Sequence, residues 1–268
     1  MPATVVALHG ISSNGHAWDA VARELDGDVR LLTPDLRGRG DSGQAPGPYG
    51  LARHVDDLVA VMDAAGLDSA VVAGHSMGAY VVAMMAVTHP ERLKSVVLVD
   101  GGPPLPVPDG ADPDELLEAT LGPSIERLSR EFADREAYHD FWREHPAFAG
   151  YDVRDEDLMA YADHDLRGSA PHLRSSVAEQ AVRTDGRELI ADHDVRTALE
   201  TMRVPGVLLR AQRGLLDQPE AFIPAATAAA FDHPTVTLHE VADSNHFTIL
   251  MGAAGARAVA DAIRARLS

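Results

Sequence analysis

Ser76 stands in Gly74-His75-Ser76-Met77-Gly78, with a glycine two residues away on each side. An apolar run from Ala70 to Ala73 precedes it, and helical spacing from Met77 to Thr88 follows. A serine at such a junction sits on a sharp strand-to-helix turn that holds its hydroxyl above a sheet, and the glycines let backbone approach where a Cβ would clash. The chemistry this suits is nucleophilic attack on an acyl carbon. A serine that merely caps a helix would account for Ser76 alone but not for the signals that accompany it.

A neutral serine hydroxyl is a poor nucleophile near pH 7, so a general base is needed. Of thirteen histidines, His246 lies in Asp243-Ser244-Asn245-His246-Phe247, after the last expected strand and before the last expected helix. Loops at strand ends are where α/β sheets gather functional groups. His239 falls inside a strand, His233 precedes Pro234, and His75 adjoins the serine but points elsewhere on an elbow. His9-Gly10-Ile11 closes the first strand. A backbone N–H there, with the N–H that follows the nucleophile, can hold an oxyanion as charge develops, which makes Ile11 and Met77 the expected donors.

The elements that must position these groups are legible as short apolar runs alternating with amphipathic stretches, the pattern of a parallel sheet covered by helices. Strands are expected at Val5 to Leu8, Val29 to Thr33, Ala70 to Ala73, Val96 to Val99, Val207 to Arg210 and Thr235 to Val241. Helices are expected at Ala17 to Leu25, Leu51 to Ala65, Met77 to Thr88, Glu220 to Ala230 and Ala253 to Leu267. The alternation breaks between Gly101 and Met202. That stretch opens with Gly-Gly-Pro-Pro-Leu-Pro-Val-Pro and carries helix-like segments at Asp114 to Leu121, Ser124 to Phe132, Glu136 to His145, Asp155 to Asp165 and Leu173 to Thr184. It reads as an insertion into a sheet domain.

These signals, joined by Asp35-Leu36-Arg37-Gly38-Arg39-Gly40-Asp41-Ser42-Gly43, resemble the α/β-hydrolase family along essentially the whole chain. The resemblance implies an α/β-hydrolase fold: a mostly parallel sheet of about six strands flanked by helices, with a helical cap inserted after the strand ending at Asp100. The core would be residues 1–101 and 203–268, and the cap 102–202. So few residues precede the first strand that the family's usual initial hairpin is expected to be absent. Ser76 would be the nucleophile, His246 the base, and Ile11 and Met77 the oxyanion donors.

The triad acid has two candidates. Most relatives place it in the loop after the strand here spanning Val207 to Arg210, where Gly214 stands at the expected place and Asp217 follows three residues later. Some branches place it where Asp100 ends the strand after the nucleophile. Asp100 is preferred, with Asp217 the alternative. Seven of the chain's aromatics, Phe132, Tyr138, Phe141, Trp142, Phe148, Tyr151 and Tyr161, fall inside the expected cap. Some must form its own core, while Phe141, Trp142, Tyr161 and also Trp18 are expected to wall the substrate pocket.

Other chemistries fit less well. Gly38-Arg39-Gly40-Asp41-Ser42-Gly43 satisfies a dinucleotide-binding pattern, yet Gln44-Ala45-Pro46-Gly47-Pro48 follows where a helix should open. Asp163-His164-Asp165 and Asp192-His193-Asp194 put carboxylates beside histidine, but adjacent helical residues face different ways, so no metal is expected. With 23 basic and 41 acidic residues the formal charge is −18, which repels phosphate backbones and anionic membranes. The absence of cysteine removes thiolate chemistry, and no 18-residue apolar run suggests a membrane span. The expected protein is a soluble, cytoplasmic, bacterial enzyme with a small-molecule substrate and no cofactor. Its expected activity is serine hydrolysis of a small, largely apolar ester or lactone. C–C bond hydrolysis, acyl transfer, perhydrolysis or ligand binding without turnover are the alternatives on the same scaffold.

Overall fold

Every strand expected from the apolar runs forms, and together they make one six-stranded sheet. The computed structural model describes residues 2–108 and 110–267, apart from the side chains of 121–125; the terminal Met1 and Ser268 of the expected core lie outside the described residues. In chain order the sheet strands are β1 (Ala3–Leu8), β2 (Val29–Leu32), β3 (Ala70–His75), β4 (Leu93–Val99), β7 (Gly206–Ala211) and β8 (Val236–Val241), separated by the short strands β5 (Leu166–Ser169) and β6 (His172–Ser175). The order across the sheet is β2-β1-β3-β4-β7-β8, and all five pairings are parallel. The chain leaves β1 toward one edge and then returns past it to β3. The switch point therefore falls between β1 and β3, where α/β sheets open a crevice at their carboxyl ends.

Alternation along the strands divides the core between two faces. Val6, Leu8, Val72, Val96, Leu98 and Leu208 pack under α2 (Leu51–Ala64), α3 (Met77–Thr88) and α8 (His193–Thr201). Val5, Ala7, Val71, Ala73, Val97, Val99 and Leu209 pack under α1 (Asp19–Glu24) and α11 (Ala253–Leu267). Helix α3 buries nine of its twelve residues, which makes it the most enclosed helix on its face and a rigid base for the residue that precedes it.

Between β4 and β7 lie α4 (Pro113–Ser129), α5 (Arg135–Arg143), α6 (Asp155–Asp165), the antiparallel pair β5–β6, α7 (Glu179–Ala191) and α8. Helix α4 rests on α7, α5 on α6, and α8 against α3. Three expectations need correction. Leu173 to Thr184 is not one helix: His172–Ser175 pairs with Leu166–Ser169 as a hairpin, and α7 starts only at Glu179. Gly168, at φ +99 within β5, lets the His172 carbonyl approach where a Cβ would meet it at 2.8 Å, and Pro171 disfavours helical backbone before it. Glu220 to Ala230 shrinks to α9 (Ala225–Ala229), because Pro224 has no N–H to donate and sits at the N-cap. The two expected helices at Asp114 to Leu121 and Ser124 to Phe132 are the single α4, capped by the Asp112 carboxylate. Among the described residues no helix is long and apolar enough to cross a membrane.

Candidate active site

Five loops at the carboxyl ends of β1, β3, β4, β7 and β8 converge on one cavity of about 260 Å³. Ser76 follows β3 directly, at φ +53 and ψ −122. A non-glycine residue in that region costs about 1–3 kcal/mol and persists only where its surroundings over-determine it. They do so here. The Ser76 N–H donates to the Val99 carbonyl at 2.9 Å. A Cβ on Gly78 would come within 2.5 Å of the Leu8 carbonyl oxygen, and one on Gly101 would fall on the Ser76 carbonyl. The elbow therefore needs bare backbone at both places.

His246 lies in the turn between β8 and α10 (Thr248–Met251). Its Nδ1 is 2.7 Å from Asp100 Oδ2, with both side chains buried. A carboxylate accepts only, so Nδ1 carries the proton and Nε2 is the nitrogen left bare. Ser76 and His246 both line the cavity. Asp100 follows β4 directly at φ +44, and its other oxygen accepts the Ala211 N–H at 3.0 Å, so the end of β7 fixes the carboxylate.

Asp217 is engaged elsewhere. Its Oδ1 accepts from the Tyr151 hydroxyl at 2.5 Å, Arg213 Nε at 2.9 Å and Asn245 Nδ2 at 3.2 Å, which ties the loop after β7 to its neighbours.

Ile11 lines the cavity and Met77 opens α3, whose first N–H groups have no intrahelical acceptor. The peptide that carries the Ile11 N–H is oriented by a residue sequence reasoning passed over. His9 Nε2 accepts the Leu36 N–H at 2.9 Å, which leaves the proton on Nδ1 to donate to the Gly10 carbonyl at 2.8 Å. In a planar trans peptide the C=O and N–H point opposite ways, so this bond turns the Ile11 N–H away from His9. On the next peptide, the buried Arg39 donates to the Ile11 carbonyl at 2.8 Å while pairing with Asp185 at 2.7 Å. The glycine-rich loop thus braces the β1 loop. It forms a 3-10 turn at Gly40–Ser42 rather than opening a helix.

His75 was also missed as a contributor. Its Nε2 donates to the His246 carbonyl at 2.8 Å, and the two rings stand 4.7 Å apart. Only the elbow's own geometry brings residues 75 and 246 together, so no local pattern could have revealed it.

The expected pocket walls divide. Tyr161 lines the cavity beside Ser76, with Leu105, Leu116, Leu189, Ile190 and Phe222. Phe141 and Trp142 line a second cavity of about 280 Å³ instead. Trp18 does not serve as a wall: it is fully buried among Val5, Val21 and Ile263 in the core, because the turn at Gly15–Trp18 directs it inward. Asp163, His164 and Asp165 diverge as their helical spacing requires, bonding His139, Asp35 and Arg127 respectively. Asp35, Asp41 and His164 do lie with donor atoms within 4.8 Å of one another, but Arg167 and the N–H groups of Gly15 and Asp41 already occupy those carboxylates.

Burial pushes His9 down to about 4 and His75 well below its ordinary value, and burial followed by the Arg127 charge brings His145 to about 4. Unfolded, each would bind a proton near pH 6.5. A depressed histidine contributes stability that is fully present above pH 6.5 and is lost as pH falls toward 4, at about 1.4 kcal/mol per pH unit per group. His16, raised chiefly by its bond to Asp19, works in the opposite sense. Urea midpoints are expected to fall clearly between pH 7.5 and pH 5; equal midpoints would contradict the neutral histidines.

The sequence profile described as the α/β hydrolase fold matches residues 3–154. Lipase LipV of Mycobacterium tuberculosis is 33% identical over 120 residues, covering 45% of this chain and 44% of that protein. The chain thus aligns with less than half the length of this curated relative. Among solved structures, E-2-(acetamidomethylene)succinate hydrolase superposes with a TM-score of 0.77 at 20% identity, covering 98% of this chain and 92% of that one. The thioesterase domain from the curacin biosynthetic pathway superposes with a TM-score of 0.73 at 18% identity, covering 98% and 91%. These likenesses carry the fold.

Proposed function

Because the chain belongs to the α/β-hydrolase fold family, we propose that it is a cofactor-independent serine hydrolase that cleaves a small, largely apolar ester or lactone. The observation that carries this reading is the bond of 2.7 Å between His246 and Asp100, made where His246 and Ser76 face one cavity. Ser76 Oγ attacks the acyl carbon, and His246 Nε2 takes its proton as the bond forms. Asp100 holds the ring in the tautomer that can do so and stabilises the imidazolium. The N–H groups of Ile11 and Met77 receive the charge that develops on the carbonyl oxygen. His246 then gives its proton to the departing alkoxide, and water activated by the same imidazole releases the acid.

The substrate class follows from the walls. Leucine, isoleucine and phenylalanine side chains dominate the cavity, and its volume suits a short acyl or ring system rather than a polymer. In this reading residues 102–202 act as the cap, since Leu105, Leu116, Thr120, Tyr161 and Leu189 close the cavity from that segment. Trapping the serine with a fluorophosphonate, followed by peptide mass spectrometry, is the direct test. A single adduct on the peptide containing Ser76 is expected. An unlabelled protein, or an adduct on another serine, would overturn the reading.

A further inference from the structure

We propose that the second cavity is a subsite for a carboxylate at the far end of the substrate, and that Arg130 binds it. The proposal rests on the hydrolase reading for the scissile end alone. Ser12, Thr120, Leu215 and Phe247 line both cavities, so a ligand whose carbonyl meets Ser76 has a continuous path past these four walls. The two ends differ in charge. The described lining beside Ser76 includes no lysine or arginine, whereas the second cavity is lined by Arg127 and Arg130.

Arg127 has already committed its donors. It is buried and bonds Asp165 at 2.5 Å, the Tyr138 hydroxyl at 2.7 Å, Ser175 at 3.1 Å and the Ser12 carbonyl at 2.9 Å. Arg130 has not. Among the described residues no carboxylate pairs with it, in a chain of net charge −18 where acidic partners are plentiful. Its guanidinium lies over the rings of Phe132 at 4.9 Å and Phe141 at 5.7 Å. The rings take the face of the group and hold it in place, which leaves the N–H edge to grip a planar anion in two-point fashion.

The other titratable groups of this cavity are His145 and Glu126. His145 stays neutral, so it neither competes for an anion nor repels one. Glu126 is exposed and makes no ion pair with Arg130, which has left helical geometry at the end of α4 with φ −78 and ψ 139. Glu126 weakens the subsite without cancelling it.

The test compares matched esters that differ only in the distal group. On the acyl side these are 4-nitrophenyl hexanoate and 4-nitrophenyl hydrogen adipate; on the alcohol side, phenyl butyrate and 3-butyryloxybenzoate. In at least one pair the acid-bearing ester should show the higher kcat/KM by about tenfold, expressed in KM and diminishing with added salt. Arg130→Gln should collapse that ratio by about tenfold, Arg130→Lys should keep part of it, and Glu126→Gln should raise it. A ratio at or below one in both pairs, or a ratio that Arg130→Gln does not move, overturns the subsite. If no ester is turned over, calorimetry with adipate alone decides. Binding that Arg130→Gln abolishes sustains the subsite, while no binding, or binding that Arg130→Gln leaves unchanged, overturns it; the hydrolase reading is decided separately by the fluorophosphonate adduct on Ser76.

Discussion

Ser76→Ala is expected to lower kcat for any ester the protein turns over by about 10⁴-fold or more, with the thermal midpoint almost unmoved. The effect is lopsided because the hydroxyl supplies reactivity and little packing. Its backbone is held by the Val99 carbonyl and by the glycines around the turn, none of which the substitution touches. Ser76→Gly sharpens the comparison. Glycine tolerates φ +53 without a Cβ penalty, so this variant should be as inactive as the alanine one yet at least as stable. Retention of more than about a tenth of the wild-type kcat in either variant would sink the serine mechanism, since oxyanion binding alone gives far less.

Asp100→Asn should cost about three to four orders of magnitude in kcat while preserving the fold. An asparagine still accepts the Ala211 N–H through its carbonyl oxygen, but it then presents an amide N–H to His246 Nδ1 where the carboxylate accepted one. The imidazole must shift its proton to Nε2, the position from which it should accept the Ser76 proton. Asp217→Asn should stay within a few-fold of wild type, because an amide oxygen still serves Tyr151 and Asn245 and only the half-buried pairing with Arg213 is weakened. Steady-state kinetics on both single variants and the double variant separate the cases. A severe loss in Asp217→Asn with a mild one in Asp100→Asn would exchange their roles.

The sheet was legible because its strands are buried on both faces and so appear as unbroken apolar runs such as Ala70 to Ala73 and Val96 to Val99. The strand-to-helix position of Ser76 was equally plain from its glycines. What stayed hidden depends on partners distant in sequence. His9 orients the Gly10 peptide only because Leu36 arrives from another loop to fix its tautomer, and Arg39 braces Ile11 only because Asp185 arrives from α7. Trp18 could not be sorted into wall or core by type, since a large aromatic serves either and the preceding turn decides. The β5–β6 hairpin carries arginine, serine and histidine on short strands without a buried face, so periodicity offered no signal there. The second cavity was invisible for a similar reason. Its walls come from five separated stretches, and only packing shows that the exposed Arg130 lies over Phe132 and Phe141.

The hydrogen bond between Asp100 and His246 joins positions 146 residues apart, and its histidine belongs to the final turn before the last two helices. Translation proceeds from the amino terminus, so a nascent chain displays the elbow serine and the loop carrying Ile11 long before it holds the imidazole. In the proposed mechanism the hydroxyl has no base during that interval, and no ester turnover is expected from it. On the proposed mechanism, the pairing of β8 with β7, which carries the His246 turn into place, is therefore the step that arms the serine.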